Sequence, residues 1–456
     1  MKSCFIATFQ LIPMRIVFRH RGLYDVVMRA TGFFLGAALL PMVLFAENWP
    51  EWRGSRRDGT STEKNLPLKW SATENVKWNA PLPGPGNSTP IVWGDKVFVT
   101  QAIENEGKRL LMCFDRKNGK VLWEKGTLFA GKEQSHEANP LCAASPSTDG
   151  ERVVAWFGSA GVFCYDLDGK ELWKRDLGKQ VHEWGYAASP VIHGNLVFLN
   201  FGPGEKSFLV ALNKKTGAEA WRADIQEKHY KERKDGFNGQ DTGFTGSWST
   251  PILVKAEGRE DLVVTISDKM VGYEPKTGKQ VWECRGMNPL IYTSPVFGEG
   301  VIIGNGGFHG ADMAVKPGGN GDVTATHKLW EGDRTDNRLG SCVIKDGYFY
   351  LPTMPGLAEC IELKTGKQVW KERIRGTGPK SDTWSSLVLS GDNIYALNQS
   401  GDTIVFKANP KFEIVQVNSI GNEMCNASIV PSNGELFIRT HKNLWCISNT
   451  TKTASR

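Results

Sequence analysis

Apolar residues fall along this chain in short unbroken runs, without the i, i+3, i+4 spacing of a helix. Eight runs recur: KVFVT (96–100), RVVAWF (152–157), LVFLNF (196–201), LVVTI (262–266), GVIIGN (300–305), YFYLPT (348–353), NIYAL (393–397) and ELFIRT (435–440). Such β-branched and aromatic runs, lacking polar alternation, predict strands covered on both faces. A six-residue motif precedes each: NSTPIV (87–92), AASPST (143–148), AASPVI (187–192), WSTPIL (248–253) and YTSPVF (292–297), then the degenerate LGSCVI (339–344), WSSLVL (384–389) and NASIVP (426–431). Pro90, Pro146, Pro190, Pro251, Pro295, Cys342, Leu387 and Ile429 mark one position of that motif, and most are separated by 42–47 residues.

A third signature closes the unit. KNGKVLW (117–123), LDGKELW (167–173), KTGAEAW (215–221) and KTGKQVW (276–282 and 364–370) each place a Trp four residues after a turn Gly. Gly after Asn, Asp or Thr supplies the positive φ of a tight hairpin. Eight units at this spacing predict an all-β, eight-bladed β-propeller with one four-stranded sheet per blade. The Trp-Asp dipeptide of the WD repeat does not occur. The eighth unit has only three strands, and ENVKWNAPL (74–82) is expected to supply its outer strand, closing the ring and removing an exposed edge.

The hairpin tryptophans Trp123, Trp173, Trp221, Trp282 and Trp370, joined by Trp78, are expected to dock between blades. Trp330 follows a longer turn in the fifth unit. The seventh unit, KANPKFEIVQV (407–417), lacks a Trp, which predicts a weaker interface there. Cys113, Cys164, Cys360 and Cys446 share one third-strand position with Ala211 and Gly272, so that position wants a small buried residue and these thiols are read as free. Cys142, Cys284, Cys342 and Cys425 leave room for one disulfide.

Residues 30–46 are uncharged and follow Arg29, and they are too few to span a bilayer comfortably. Residues 1–46 are therefore read as a cleaved signal peptide, and a start at Met28 would give it the usual short form. A retained membrane anchor is the alternative. The remainder divides into a lead-in segment (47–73), the propeller (74–450) and a tail (451–456), in a periplasmic or secreted protein. The chain carries 55 basic and 49 acidic residues, of which the leader holds five and one, so the rest is near neutral at +2. That balance lacks the basic footprint of a nucleic-acid binder. The densest charge run, EKHYKERKD (227–235), mixes both signs.

The TGK-x-x-W hairpins and the stretch WPEWRGSRRDG (49–59) resemble the pyrroloquinoline-quinone-like (PQQ-like) β-propeller family over roughly residues 49–450. That family includes quinoprotein dehydrogenases and the propeller lipoprotein of the outer-membrane β-barrel assembly machine. Resemblance to the former implies PQQ clamped by a disulfide between adjacent cysteines, with calcium bound by a Glu/Asn/Asp set. This chain has no Cys-Cys pair and no Cys-x-x-Cys-His haem motif. Resemblance to the latter implies envelope-protein partners.

No catalytic or metal-binding motif is found: there is no G-x-S-x-G elbow and no His-Glu-x-x-His spacing. His136-Glu137 and His182-Glu183 recur before two first strands and are read as loop hydrogen-bonders, and His309 lies in a Gly-rich bend without a following helix. The loops entering the first strands reach one face. They carry Asn87, His136, Trp184, Trp248, Tyr292, Arg338, Trp384 and Asn426, residue types enriched at recognition surfaces. This set, with the long insertion 227–247, is the candidate ligand- or partner-binding site at the channel mouth. The reading is a scaffold for envelope proteins or a small or polymeric ligand, with no cofactor. The alternatives are a PQQ-dependent oxidoreductase and a carbohydrate-binding or lyase-like propeller.

Overall fold

The computed structural model describes residues 47–204, 206–226, 246–307, 310–333 and 336–449. The proposed leader, residues 227–245 of the insertion, His309 and the tail from 450 lie outside the described residues. Among the described residues no helix is long and apolar enough to cross a membrane.

Eight sheets follow the eight sequence units. In blade one the strands Ile91–Trp93, Lys96–Ile103, Lys108–Asp115 and Val121–Leu128 pair in sequence order. Blades two to seven repeat that order, and the molecule is an eight-bladed β-propeller. In blade eight Val76–Pro81 pairs antiparallel with Asn443–Ser448 and becomes the outermost strand, as its sequence predicts. The unbroken apolar runs are the second strands, and the side chains of Phe98, Phe198, Phe349 and Phe437 are fully buried between blades.

The innermost strands are joined by a closed ring of hydrogen bonds. Each six-residue motif has a Ser or Thr just before its Pro position. The backbone N–H of Thr89 donates to Ser145 Oγ (2.8 Å), Ser145 to Ser189 (3.1 Å), Ser189 to Thr250 (2.9 Å) and Thr250 to Ser294 (2.8 Å). Ser294 donates to Ser341 (3.1 Å), Ser341 to Ser386 (2.9 Å), Ser386 to Ser428 (3.0 Å) and Ser428 back to Thr89 Oγ1 (3.0 Å). An inner edge strand has N–H groups with no ladder partner. Here one donor per blade is satisfied by the next blade, and in blades one to five the following Pro removes another N–H altogether.

A second chain of contacts runs outside the first. The indole N–H of Trp78 donates to Arg116 O, Trp123 to Leu167 O, Trp173 to Lys214 O and Trp221 to Pro275 O. Trp330 reaches Leu363 O and Trp370 reaches Asn409 O. Each carbonyl belongs to the hairpin of the next blade. The turn Gly of that hairpin is the seat of the ring: a Cβ on Gly217 would lie 2.6 Å from Trp173, and φ there is +70°. Across its own sheet each Trp faces the small third-strand residue, Cys113 opposite Trp123, Cys164 opposite Trp173, Ala211 opposite Trp221 and Cys446 opposite Trp78. All eight cysteines of the described chain are free and buried.

Two blades depart from the pattern. Trp282 still packs against Ile302 and Met313 of blade five, but its indole bonds Asp261 Oδ2 within its own blade (2.8 Å). The longer fifth hairpin explains this, because Gly321–Asp322 leaves to pair with the outer strand of blade four. Blade seven has no hairpin Trp, yet its interface is not left thin. The lead-in segment inserts Leu66 and Trp70 into one buried cluster with Tyr395 and Val405 of blade seven and Leu436 and Ile447 of blade eight. Asn418 Oδ1 accepts the backbone N–H of Trp70 (2.8 Å), and its Nδ2 donates to Leu68 O (3.0 Å).

Trp173→Ala is expected to destabilise the protein by about 3–5 kcal/mol through cavity formation. Gly217→Ala should cost at least about 2 kcal/mol, from overpacking and the left-handed backbone. Urea unfolding midpoints of the two variants check both values. Equal midpoints for wild type and Gly217→Ala would contradict the seat assignment.

Candidate binding site in the central channel

In the segment that leads into each innermost strand, the first residue of the motif stands two positions before the ring hydroxyl. The first-position residues Asn87, Ala143, Ala187, Trp248, Tyr292, Leu339, Trp384 and Asn426 all line one cavity of about 200 Å³. Below them lie Thr89, Ser145, Ser189, Thr250, Ser386 and Ser428 of the ring, and Trp184, Asn139 and Met354 enter from the loops. None of the lining residues is charged. Large side chains come from blades four to seven and small or amide ones from blades eight to three, so the open space is off-centre.

The lead-in segment closes the other end. Trp49 pairs with Val92, and the Thr148 N–H donates to Pro50 O (2.8 Å). Arg57 donates to Ile192 O (3.0 Å) and pairs with Glu51 (2.8 Å). Arg53 donates to Leu387 O (2.7 Å) and to Cys342 O, two of the three places where the motif has lost its Pro. These contacts fall one to three residues beyond the hydroxyl ring on five different blades, and Trp52 forms the cavity floor. Burial pushes the Glu51 carboxyl up to about 7 despite Arg57 beside it.

Six of the eight residues singled out from sequence line this cavity: Asn87, Trp184, Trp248, Tyr292, Trp384 and Asn426. Two do not. The His136 ring stacks behind Trp184 (centroids 4.1 Å, 18° between planes), and its Nδ1 accepts the Ala138 N–H (3.2 Å). Arg338 is buried, with Nη2 3.1 Å from Asp312 and 3.2 Å from Glu359. A guanidinium in the interior is held by carboxylates, so its charge turned it inward and away from the mouth. Sequence reasoning missed Ala143, Ala187 and Leu339, although they occupy the first motif position in their units. Ala and Leu are not recognition residues, and only their register in the motif places them here.

The rim is held stiffly. His182 repeats the His136 turn, accepting the Trp184 N–H at Nδ1 (3.1 Å), and meets Trp248 edge-on at 4.9 Å. Trp248 Nε1 donates to Gly185 O (3.0 Å). The amides are engaged as well: Asn87 and Asn426 both donate to Ala138 O, and Gln399 donates to Asn426 Oδ1. Burial, with Arg439 and Lys380 nearby, lowers His441 to about 4. Its imidazole is therefore neutral at pH 7 and donates from Nε2 to Asn87 Oδ1 (3.1 Å).

The donor groups are a different matter. Among the described residues, none of the eight ring hydroxyls donates a hydrogen bond, and the buried Trp384 Nε1 has no partner. The cavity thus presents unused donors and aromatic faces, without charge. A PQQ–calcium pair does not fit this lining. PQQ carries three carboxylates, which this lining meets with no cationic side chain, and calcium sites draw on Asp or Glu carboxylates that it also lacks. Among the described residues, no group of three or more His, Cys, Asp or Glu is placed to hold a metal ion.

The profile of the family described as outer membrane protein assembly factor BamB matches residues 60–204, 107–235 and 205–456. Outer membrane protein assembly factor BamB of Burkholderia pseudomallei (strain K96243) is 23% identical over 366 residues, covering 70% of this chain and 84% of that protein. Quinohemoprotein alcohol dehydrogenase ADH IIB of Pseudomonas putida is 21% identical over 297 residues, covering 57% of this chain. The chain spans only 40% of that dehydrogenase's length. The crystal structure of quinohemoprotein alcohol dehydrogenase from Comamonas testosteroni superposes with a TM-score of 0.63 at 11% identity, over 88% of this chain and 80% of that one.

His441 generates a pH prediction. The unfolded chain protonates this imidazole near 6.5 and the folded chain only near 4, so between those values the unfolded state binds more protons. Stability should fall as pH drops from about 6.5 to 4, by on the order of 1–2 kcal/mol after solvent screening. His441→Gln should remove that part of the slope in a series of melting temperatures. An unchanged slope would contradict the assignment.

Proposed function

Because the chain belongs to the BamB-like PQQ-repeat family, we propose that it is an exported binding scaffold that engages an envelope partner at the open mouth of its channel. The observation that carries this reading is the blind, uncharged cavity with its aromatic rim and unused hydrogen-bond donors. Aromatic side chains with fixed planes are the usual anchors of recognition surfaces. His136, His182 and Tyr292 hold Trp184 and Trp248 in place before any ligand arrives, which lowers the ordering cost of binding. The relative aligned over most of its own length is named as an outer membrane protein assembly factor. That supports an envelope protein as the partner and a periplasmic or secreted location. Quinone-dependent oxidation is favoured by the dehydrogenase relatives but not by the uncharged lining.

Photo-crosslinking in the native host tests the proposal. A benzophenone side chain placed at position 184, on the rim, should give discrete adducts with an envelope component. The same group at position 128, which is exposed on the outer strand of blade one, should give none. Adducts from 128 alone, or from neither position, would overturn the scaffold reading.

A further inference from the structure

The chemistry of the cavity lining points to its ligand, on the premise that the channel mouth is the binding site. Three facts constrain the occupant. No charged side chain lines the space, so a carboxylate- or ammonium-bearing group would lose its hydration without a partner. Donors stand unused around the space: the hydroxyl protons of the ring, whose residues are at least nine-tenths buried, and the buried indole N–H of Trp384. The amide groups of Asn87, Asn139 and Asn426 are already bonded to backbone or side chains. The third fact is geometric. Trp184 is half-buried and backed by the His136 ring, so it offers one fixed indole face to the cavity.

A ligand that matches all three has an apolar face, several acceptor oxygens and no charge. We infer that the channel takes one neutral pyranose unit of a glycan, stacked on Trp184 with its oxygens accepting from Trp384 Nε1 and the ring hydroxyls. Hydroxyl and ring-ether oxygens are acceptors, and the axial C–H face of a pyranose packs on an aromatic ring. The cavity, at about 200 Å³, holds a single ring, so a polymer would enter by one end and lie across the mouth.

Isothermal titration of the protein with cellotetraose, maltotetraose and chitotetraose, and with tetragalacturonate as the acidic control, tests this inference. At least one neutral tetrasaccharide should bind, with the acidic one weaker. Trp184→Ala should weaken that binding by about tenfold with the far-UV circular dichroism unchanged. Trp384→Phe keeps an aromatic ring but removes the N–H donor, and it should also weaken binding. Silence from all three neutral sugars, or binding that survives both substitutions, overturns the sugar assignment. If the sugars are silent while position 184 still crosslinks to an envelope protein, the scaffold reading stands and only the ligand class falls. If both fail, both fall.

Discussion

Eight hydroxyl groups, each accepting a backbone N–H from the preceding blade, are the constraint on which the rest of the molecule depends. A propeller has no single core to hold it closed, because every blade packs only on its neighbours. The inner edges of its sheets converge on an axis where water is scarce and unpaired backbone donors are costly. Placing Ser or Thr at one register position in every unit satisfies one donor per blade and joins blade eight to blade one by the same bond. The seam between those two blades has further locks. Arg116 bonds Glu435 (2.8 Å), and the buried Arg439 donates to Thr100 O (2.9 Å) and Gln101 Oε1 (2.7 Å) of blade one.

The bond that closes the ring also shapes the site. A hydroxyl that accepts from the backbone keeps its own proton, and around the axis that proton has no protein acceptor. The channel is therefore lined by donors as a consequence of how the blades are held together. The lead-in segment then makes the channel blind. Arg53 and Arg57 tie it to carbonyls on opposite sides of the axis, and Trp52 forms the floor. Trp70 of the same segment fills the interface that lacks a hairpin Trp. One stretch of some twenty-five residues thus supplies both the plug and the missing wedge.

The architecture was legible in the sequence because its signals repeat. The Gly-x-x-x-Trp offset, the Ser/Thr-Pro motif and the unbroken second strands each recur at one register, and the outer strand from residues 74–82 followed from counting strands in the last unit. What was not legible depended on contacts between units. The turn Gly reads as a hairpin former, and its role as a seat for the preceding blade's Trp appears only when the blades are side by side. The absent Trp of blade seven predicted a weak interface, and nothing in the periodic pattern marked Trp70 as its replacement. Arg338 shares its loop with the rim residues, but Asp312 and Glu359, distant in sequence, draw it into the interior. Ala143, Ala187 and Leu339 carry no chemical signal of their own. Their position within the motif places them in the cavity.

The central claim is that a Ser/Thr hydroxyl on each blade closes the ring, and Thr89 is where it can be tested with least ambiguity. Thr89→Val preserves shape and removes only the acceptor for the Ser428 N–H. Hydrogen exchange of the Ser428 amide, measured with the unfolding free energy, reads that bond directly. The account predicts loss of protection at Ser428 and a destabilisation of about 1–3 kcal/mol. Undiminished protection together with unchanged stability would contradict it.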